Sequence, residues 1–237
     1  MDFTHLLTRI QKRFSGIYHS ININDCMLCN SHAGSSKFGV LCQVCYQDLN
    51  RYPLGYDVIK HNPKLASQIQ HKFLDGFACL ATFQWPYDLL IKQLKYGNKL
   101  NCARVLGELL AEHIQQTDWS IMDYLCPLPL HKDKLSRRGF NQSELLCRFV
   151  KNDLDLTMYK GLKRIKNTKT QTELNKKQRL ANVKNAFDCS DDLRSKRILL
   201  IDDVLTTGAT LEQAARVLKL CGAQQVFAAT VAIKPLS

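Results

Sequence analysis

Two adjacent carboxylates precede a turn rich in hydroxyl groups, and together they could bind a phosphorylated sugar. Asp202 and Asp203 follow the apolar run 198–201, and a predicted helix over 210–220 begins in the turn. The turn consists of Thr206, Thr207, Gly208, Ala209 and Thr210. Successive backbone amides at a helix N-terminus attract a phosphate, and the glycine lets it approach closely. Paired carboxylates suit the hydroxyls of a sugar bonded to that phosphate. The alternative is a capped turn between a strand and a helix that binds no ligand.

Four cysteines are spaced as metal ligands. The pair Cys26 and Cys29 is followed, after twelve residues, by the pair Cys42 and Cys45. Each pair can present two thiolates from one tight turn, and four thiolates with no open position are typical of structural zinc. An iron–sulfur centre is the alternative, whereas two adjacent pairs disfavour a thioredoxin-like redox role. The other six cysteines are isolated, and we expect them to be small buried hydrophobic residues.

The positive charge of the chain is concentrated in one stretch. Lys and Arg number 33 against 21 Asp and Glu, a net charge of +12, and residues 160–184 carry nine bases against one acid. Part of this stretch is polar and unpatterned, which predicts a loop rather than a solvated helix face. A basic loop could bind either a pyrophosphate or the backbone of a nucleic acid. The candidates for contacts with DNA are Lys163, Lys166, Lys169, Lys176 and Lys177.

Alternating strands and helices must position these groups. Strands are predicted over 76–83, 124–130, 158–165, 197–202 and 225–233. Helices are predicted over 87–94, 103–114, 141–150, 176–186 and 210–220, and an amphipathic helix over 3–14. This alternation predicts an α/β domain with a mainly parallel sheet, whose ligands bind at the carboxyl ends of the strands. We expect a small N-terminal zinc-binding module over 1–62 and the α/β domain over 63–237.

Composition excludes several classes of protein. The chain has 237 residues, of which 45% are hydrophobic and 23% charged, so a fibrous or largely disordered protein is excluded. It lacks the Gly-x4-Gly-Lys-Ser/Thr pattern of P-loop ATPases and the Gly-x-Gly-x2-Gly pattern of dinucleotide-binding folds. No signal peptide or transmembrane run is recognisable, which predicts a cytoplasmic protein. Packing of the helix over 3–14 on the protein is favoured over peripheral binding at the inner membrane.

The segment 201–210 resembles the phosphoribosyl-pyrophosphate (PRPP) signature of type I phosphoribosyltransferases. The wider pattern resembles the ComF/ComFC competence proteins of bacterial natural transformation. It includes the four-cysteine module and the segments Leu94-Lys95-Tyr96-Gly97, Pro127-Leu128-Pro129-Leu130, Arg137-Arg138-Gly139-Phe140-Asn141-Gln142, Arg164-x5-Thr170-Gln171 and Arg179-x2-Asn182. The resemblance covers nearly the whole chain, with the motifs in the same order.

The resemblance implies a role for each group. Asp202 and Asp203 would hold the ribose hydroxyls, and the turn over 206–210 would hold the 5′-phosphate. Arg137 and Arg138 would lie where pyrophosphate binds, with Mg²⁺ bridging its oxygens, and Lys163 and Arg164 would begin a flexible loop that covers the site. The alternatives are surface charge for the two arginines and ordinary helix-end positions for Lys95 and Tyr96.

Two classes of function are compatible with these residues. The resemblance implies a competence protein that handles incoming single-stranded DNA, with the basic stretch as an electrostatic track. Scattered aromatic residues could stack on bases, although core packing is the alternative for Tyr96, Trp85, Phe140 and Tyr159. The second class is a phosphoribosyltransferase with a nucleobase or amine acceptor, but no segment specifies that acceptor. A nucleotide-sensing regulator would need a helix that reads duplex DNA, and none is recognisable. The N-terminal module could dock a helicase or a channel component of the DNA-uptake machinery.

Overall fold

The computed structural model of the protein describes residues 25–33, 39–97, 99–119, 121–167 and 183–234. Its central sheet is formed by β1 (Gly76–Thr82), β2 (Tyr124–Pro127), β3 (Thr157–Met158), β6 (Arg197–Leu205) and β7 (Gln225–Ile233). Their spatial order is β1-β7-β6-β2-β3, and every neighbouring pair is parallel. Two short strands, β4 (Lys163–Arg164) and β5 (Phe187–Asp188), form a separate antiparallel pair.

Helices connect and cover these strands. Among the described residues they are α2 (Val58–His61), α3 (Pro63–Ala66), α4 (Tyr87–Tyr96), α5 (Asn101–Gln115), α6 (Lys132–Arg138), α7 (Gln142–Leu154) and α8 (Ala209–Leu220), whereas α1 (Gln43–Gln47) belongs to the N-terminal module. Helices α5 and α7 pack against each other and against the sheet, and α8 packs against β7. The prediction of an α/β fold with a mainly parallel sheet and a small N-terminal four-cysteine module is therefore confirmed.

The two central strands explain the apolar runs in the sequence. All of β7 except its first residue is buried, and β6 is buried at Ile198, Leu199, Leu200 and Ile201. A parallel strand covered on both faces has no solvent side, so its residues do not alternate between apolar and polar. This burial places the sheet at the centre of the core.

Several predicted elements differ from those observed. The single strand predicted over 158–165 is divided into β3 and β4, which belong to different sheets. Between them Tyr159 and Leu162 are buried in the core, and at Gly161 a Cβ atom would lie 2.1 Å from an oxygen of Asp191, so this segment packs closely against residue 191. Strand β6 extends to Leu205, beyond the predicted end at 202. The helix predicted over 3–14, and most of that predicted over 176–186, lie outside the described residues.

The chain forms two compact units, Met1–Leu49 and Asn50–Ser237. Residues 50–62, which precede the domain boundary expected from composition, pack against β1. The Tyr52 amide donates a hydrogen bond to the Leu80 carbonyl (2.7 Å), and the Phe77 amide donates one to the Asp57 carboxylate (3.2 Å). Across the described parts of the chain, no helix has both the length and the apolar character needed to cross a membrane.

Candidate functional site

A cavity of about 410 Å³ lies at the carboxyl edge of the parallel sheet. Its lining includes residues just beyond the ends of three strands, namely Phe83 after β1, Leu128 after β2 and Lys234 after β7. Asp202 and Asp203, near the carboxyl end of the central strand β6, also line it. Because parallel strands end at the same edge, segments far apart in the chain converge on this cavity.

Asp202 is held by two donors. The Ser143 hydroxyl donates a hydrogen bond to Asp202 Oδ1 (2.9 Å), and the Asp203 amide donates to the same oxygen (2.9 Å). Ser143 is placed by the cap of α7, where the Asn141 side chain accepts from the Ser143 amide (3.1 Å) and donates to the Leu128 carbonyl (3.1 Å). Burial, followed by the adjacent Asp203 charge, raises the pKa of Asp202 to about 7. This carboxyl group can therefore change its protonation near neutral pH.

Asp203 forms an ion pair with Lys95. The Lys95 ammonium lies 2.6 Å from Asp203 Oδ2, and the two side chains are 21% and 5% exposed. Burial by itself would lower the pKa of Lys95, but the charges of Asp203 and Asp202 outweigh it and leave the pKa raised. Lys95 is therefore charged. It lies in the cavity because α4 continues two residues beyond its predicted end at 94.

The turn after β6 approaches the preceding chain closely. Gly208 has a φ of +76°, and a Cβ atom there would lie 2.6 Å from the Gln70 carbonyl oxygen. The Gln70 amide in turn donates a hydrogen bond to the Thr207 carbonyl (3.0 Å). Thr206, Gly208 and Thr210 line the cavity, whereas Thr207 and Ala209 are buried and do not contribute to its lining. Three of the five predicted phosphate-binding residues thus face the same space as the carboxylates.

Six cationic side chains line the cavity. They are Lys92, Lys95, Lys134, Arg138, Arg164 and Lys234. Of the two arginines predicted to bind pyrophosphate, Arg138 lines the cavity and Arg137 is exposed outside it; of the two residues predicted to begin the covering loop, Arg164 lines the cavity and Lys163 is exposed outside it. Burial, together with the charges of Arg164, Arg137 and Arg138, lowers the pKa of Lys134. Crowding of positive charge of this kind suits a ligand with several negative charges.

Sequence reasoning missed Lys92, Lys134, Lys234 and Ser143, and it assigned no role to Lys95. Lys134 could have been found, because it lies four residues before Arg138 and therefore shares a face of α6 with it. Lys95 lay in a noted motif, but nothing local indicated its partner. Ser143 carried no signal, because its contact with Asp202 depends on the packing of α7 against β6.

The residues proposed for DNA contacts are only partly described. Lys163 lies exposed on β4, and Lys166 is exposed with its ammonium donating to the Lys184 carbonyl (3.1 Å). Lys169, Lys176 and Lys177 lie outside the described residues. The structure therefore locates the start of the basic stretch near the cavity, since the adjacent Arg164 lines it.

The four-cysteine cluster is a candidate metal centre in the first unit. All four Sγ atoms of Cys26, Cys29, Cys42 and Cys45 lie within 4.8 Å of one another, and Cys29 and Cys42 are 3.7 Å apart. Tetrahedral zinc with bonds of about 2.3 Å to sulfur requires sulfur atoms about 3.8 Å apart, so this donor set fits zinc. Hydrogen bonds from Ser31 lower the pKa of Cys29 to about 6, whereas burial raises the pKa of Cys45.

The remaining cysteines follow the prediction only in part. Cys79, Cys102, Cys126 and Cys147 are buried. Cys189 and Cys221 are half-buried and not isolated, because the Cys221 thiol donates to the Cys189 carbonyl (3.1 Å) and the Tyr159 hydroxyl lies 3.0 Å from Cys189 Sγ. The fold brings these two cysteines together although they are far apart in sequence.

Comparison with known proteins places these features in a family. A family model described as "Phosphoribosyl transferase domain" matches residues 143–236. "Competence protein F" of Haemophilus influenzae is 27% identical over 214 residues, which cover 85% of this chain and 93% of that protein. "DNA utilization protein YhgH" of Escherichia coli is 33% identical over 152 residues, 62% of this chain and 67% of that protein. "Competence protein ComFC" of Bacillus subtilis is 41% identical over 95 residues, 40% of this chain and 37% of that protein.

Proposed function

The chain belongs to the ComF/ComFC family of competence proteins with a phosphoribosyltransferase-like domain, and we propose that it handles incoming single-stranded DNA in the cytoplasm during natural transformation. We propose further that its cavity binds PRPP or a related phosphorylated ribose. The names of the relatives support the first part, and the composition of the cavity supports the second.

One observation carries the proposal for the ligand. A pair of carboxylates, a turn with backbone amides and hydroxyls, and six cations line one cavity. Asp202 and Asp203 would accept hydrogen bonds from the ribose hydroxyls, and the turn over 206–210 would hold the 5′-phosphate. Lys134, Arg138 and Arg164 would lie along a pyrophosphate. Mg²⁺, which takes oxygen ligands from carboxylates and phosphates, would neutralise part of the charge of PRPP.

Calorimetric titration with PRPP and Mg²⁺ tests this site. The wild-type protein should bind PRPP, and Asp202→Asn and Asp203→Asn should each weaken binding about tenfold or more, because each removes a charged acceptor. Asp153→Asn is the matched control, since Asp153 is exposed on α7 outside the cavity. Absence of PRPP binding, or equal binding by all three variants and the wild type, would contradict the proposed site.

Binding of single-stranded DNA is tested separately through salt dependence. If Lys163, Lys166 and Lys169 contact phosphates, their combined reversal to Glu should weaken binding and flatten the slope of log K against log salt by about 2, since each contact contributes about 0.7. Reversal of Lys64, Arg148 and Lys151, which are exposed elsewhere, is the control of equal charge. The variants Asp202→Asn and Asp203→Asn should retain DNA binding. Equal weakening by the two triple reversals would contradict a DNA site on the basic stretch.

A genetic test links both parts to competence. Disruption of the gene should reduce transformation, scored separately for DNA entry into the periplasm and into the cytosol. The proposed role predicts normal periplasmic entry with a defect at the later step. Normal transformation would remove the DNA-handling role and leave the transferase as the better explanation.

A transferase is the second candidate, because the cavity has room for more than a phosphate. Its volume of about 410 Å³ lies within the range of about 300–1,000 Å³ usual for small-molecule sites. In this function an acceptor would displace pyrophosphate from C1 of the ribose, forming a bond from the acceptor nitrogen to C1 as the C1–oxygen bond breaks. Release of pyrophosphate from PRPP, dependent on Asp203 and on one acceptor from a panel of bases and amines, would establish it.

A further inference from the structure

An exposed aromatic ring stands at the mouth of the cavity. Tyr96, the last residue of α4, is 76% exposed and lines the cavity. Tyr87, at the start of the same helix, is fully buried. The position of Tyr96 is therefore not explained by core packing, which was the alternative for this residue in the sequence.

The ring lines the same cavity as the proposed ribose site and lies against one of its cations. Its neighbour in the chain, Lys95, reaches Asp203 at 2.6 Å. The Arg138 guanidinium lies 5.9 Å from the centre of the Tyr96 ring. That guanidinium is held by a hydrogen bond of 2.6 Å to the Gln142 side chain. One ring face thus has a fixed cationic neighbour, while most of the side chain remains open.

We propose that Tyr96 is a stacking platform for a nucleobase joined, or about to be joined, to the ribose 5-phosphate in the cavity. The inference rests on the proposed function, because it takes the ribose to be held by Asp202 and Asp203. A base at C1 lies within a few bond lengths of the sugar, and Tyr96 lines the same cavity as Asp203 and lies against the cation Arg138. Planar heteroaromatic rings stack on Tyr, and this contact tolerates different bases because each has a π face.

This site supplies what the sequence did not specify, the chemical class of the second ligand. An aliphatic amine would gain little from a flat aromatic face, whereas a purine or pyrimidine would bury that face. The nucleobase could come from a free nucleoside 5′-phosphate or from a single strand. The carboxylate pair favours the free ribonucleotide, because a nucleotide within a DNA strand has neither a 2′-hydroxyl nor a free 3′-hydroxyl to offer.

Calorimetric titration with ribose 5-phosphate and with adenosine 5′-monophosphate tests the proposal. The wild type should bind the nucleotide about tenfold or more tightly than the sugar phosphate, the gain usual for one stacked base. Tyr96→Ala should abolish this advantage and leave the affinity for ribose 5-phosphate unchanged, and Tyr96→Phe should retain it. Trp85→Ala is the matched control, because Trp85 is 61% exposed but does not line the cavity.

The outcomes separate this inference from the function on which it rests. Equal affinity of the wild type for both ligands, or an advantage that survives Tyr96→Ala, would overturn the stacking platform and leave the ribose-phosphate site intact. Binding of neither ligand would overturn both. A titration with a single-stranded oligonucleotide distinguishes the source of the base. Tyr96→Ala should leave the affinity for the oligonucleotide unchanged. If the variant loses oligonucleotide binding and still binds the nucleotide as the wild type does, the proposal is overturned.

Discussion

At the scale of single residues, the ion pair of Lys95 and Asp203 is a buried contact inside the cavity. Its carboxylate is the most buried of those in ion pairs among the described residues, at 5% exposure. Asp202 lies beside it with a raised pKa, and Lys95 partly offsets that rise. The charges of Lys95, Asp202 and Asp203 therefore depend on one another. The protonation of Asp202 decides whether one or two ionised carboxylates can accept hydrogen bonds from a ligand.

Removal of Lys95 should destabilise the protein. Lys95→Met leaves Asp203 buried without its partner, and loss of one partner of a buried pair costs about 3–5 kcal/mol. Because Lys95 is 21% exposed, we expect the lower end of this range, about 3 kcal/mol. Lys92→Met is the matched control, since Lys92 pairs with Asp88 on the surface of the same helix (2.7 Å) and should change stability by about 0.5 kcal/mol or less. Urea denaturation measures both. Equal effects of the two substitutions would show that the buried pair is unimportant for stability.

The raised pKa of Asp202 predicts a pH dependence of ligand binding. Because that pKa is about 7, lowering the pH from about 8 to about 6 protonates the carboxyl group and removes an acceptor for ribose hydroxyls. Affinity for ribose 5-phosphate should therefore fall over this interval. Asp202→Asn should bind more weakly at about pH 8 and lose this part of the dependence. The same titration with inorganic phosphate corrects for ionisation of the phosphate itself. If Asp202→Asn shows the same pH dependence of binding as the wild type, the dependence does not arise from Asp202.

At the scale of elements, the turn between β6 and α8 is fixed by its contact with residue 70. Gly208 combines a positive φ with a close backbone neighbour, whereas Gly139, at the end of α6, has a φ of +81° and nothing within 4 Å of the position of a Cβ atom. The two glycines thus share the same backbone strain on substitution and differ only in the space around them.

Paired substitutions separate strain from steric contact. Gly139→Ala should cost about 1 kcal/mol, the usual strain of a positive φ, and Gly208→Ala should cost about 1 kcal/mol more. The additional cost arises because the Gln70 backbone must move. Gly208→Ala should also weaken phosphate binding by displacing the amides of the turn. Thermal denaturation and phosphate titration measure these effects, and equal stability of the two variants would contradict the role of the close contact.

Element lengths also decide which side chains enter the site. Helix α4 ends at Tyr96 and not at 94, and strand β6 ends at Leu205 and not at 202. Hydrophobic periodicity locates the middle of an element well, but the ends depend on packing against neighbours that are distant in sequence. The sequence therefore predicted the strand, turn and helix over 197–220 and did not predict that Lys95 would enter the cavity beside them.

At the scale of the whole molecule, the two compact units have different sources of stability. Asn50–Ser237 contains the sheet and its apolar core, whereas the described part of Met1–Leu49 has few buried apolar residues around its four cysteines. A unit with so small a core needs another source of folding free energy, and metal binding can supply it.

Removal of the metal should therefore unfold one unit and leave the other folded. Chelation, or Cys42→Ser, should abolish hydrogen-exchange protection in α1 and around the four cysteines, while the strands β1, β6 and β7 keep theirs. Cys221→Ser, a half-buried cysteine outside the cluster, should retain one zinc per chain by elemental analysis. A Cys42→Ser protein with normal protection and no bound metal would contradict a structural zinc site.

The sequence by itself determined the parts of this protein that are encoded over short distances. The four-cysteine pattern, the carboxylates with the turn that follows them, and the order of strands and helices each lie in continuous segments whose spacing reflects local geometry. Only the tertiary structure decided which other groups join them. Three contacts depend on the spatial order of the strands and on where helices end: those of Ser143 with Asp202, Lys95 with Asp203 and Tyr96 with Arg138. These contacts are decided by packing across the sheet, which joins segments far apart in sequence.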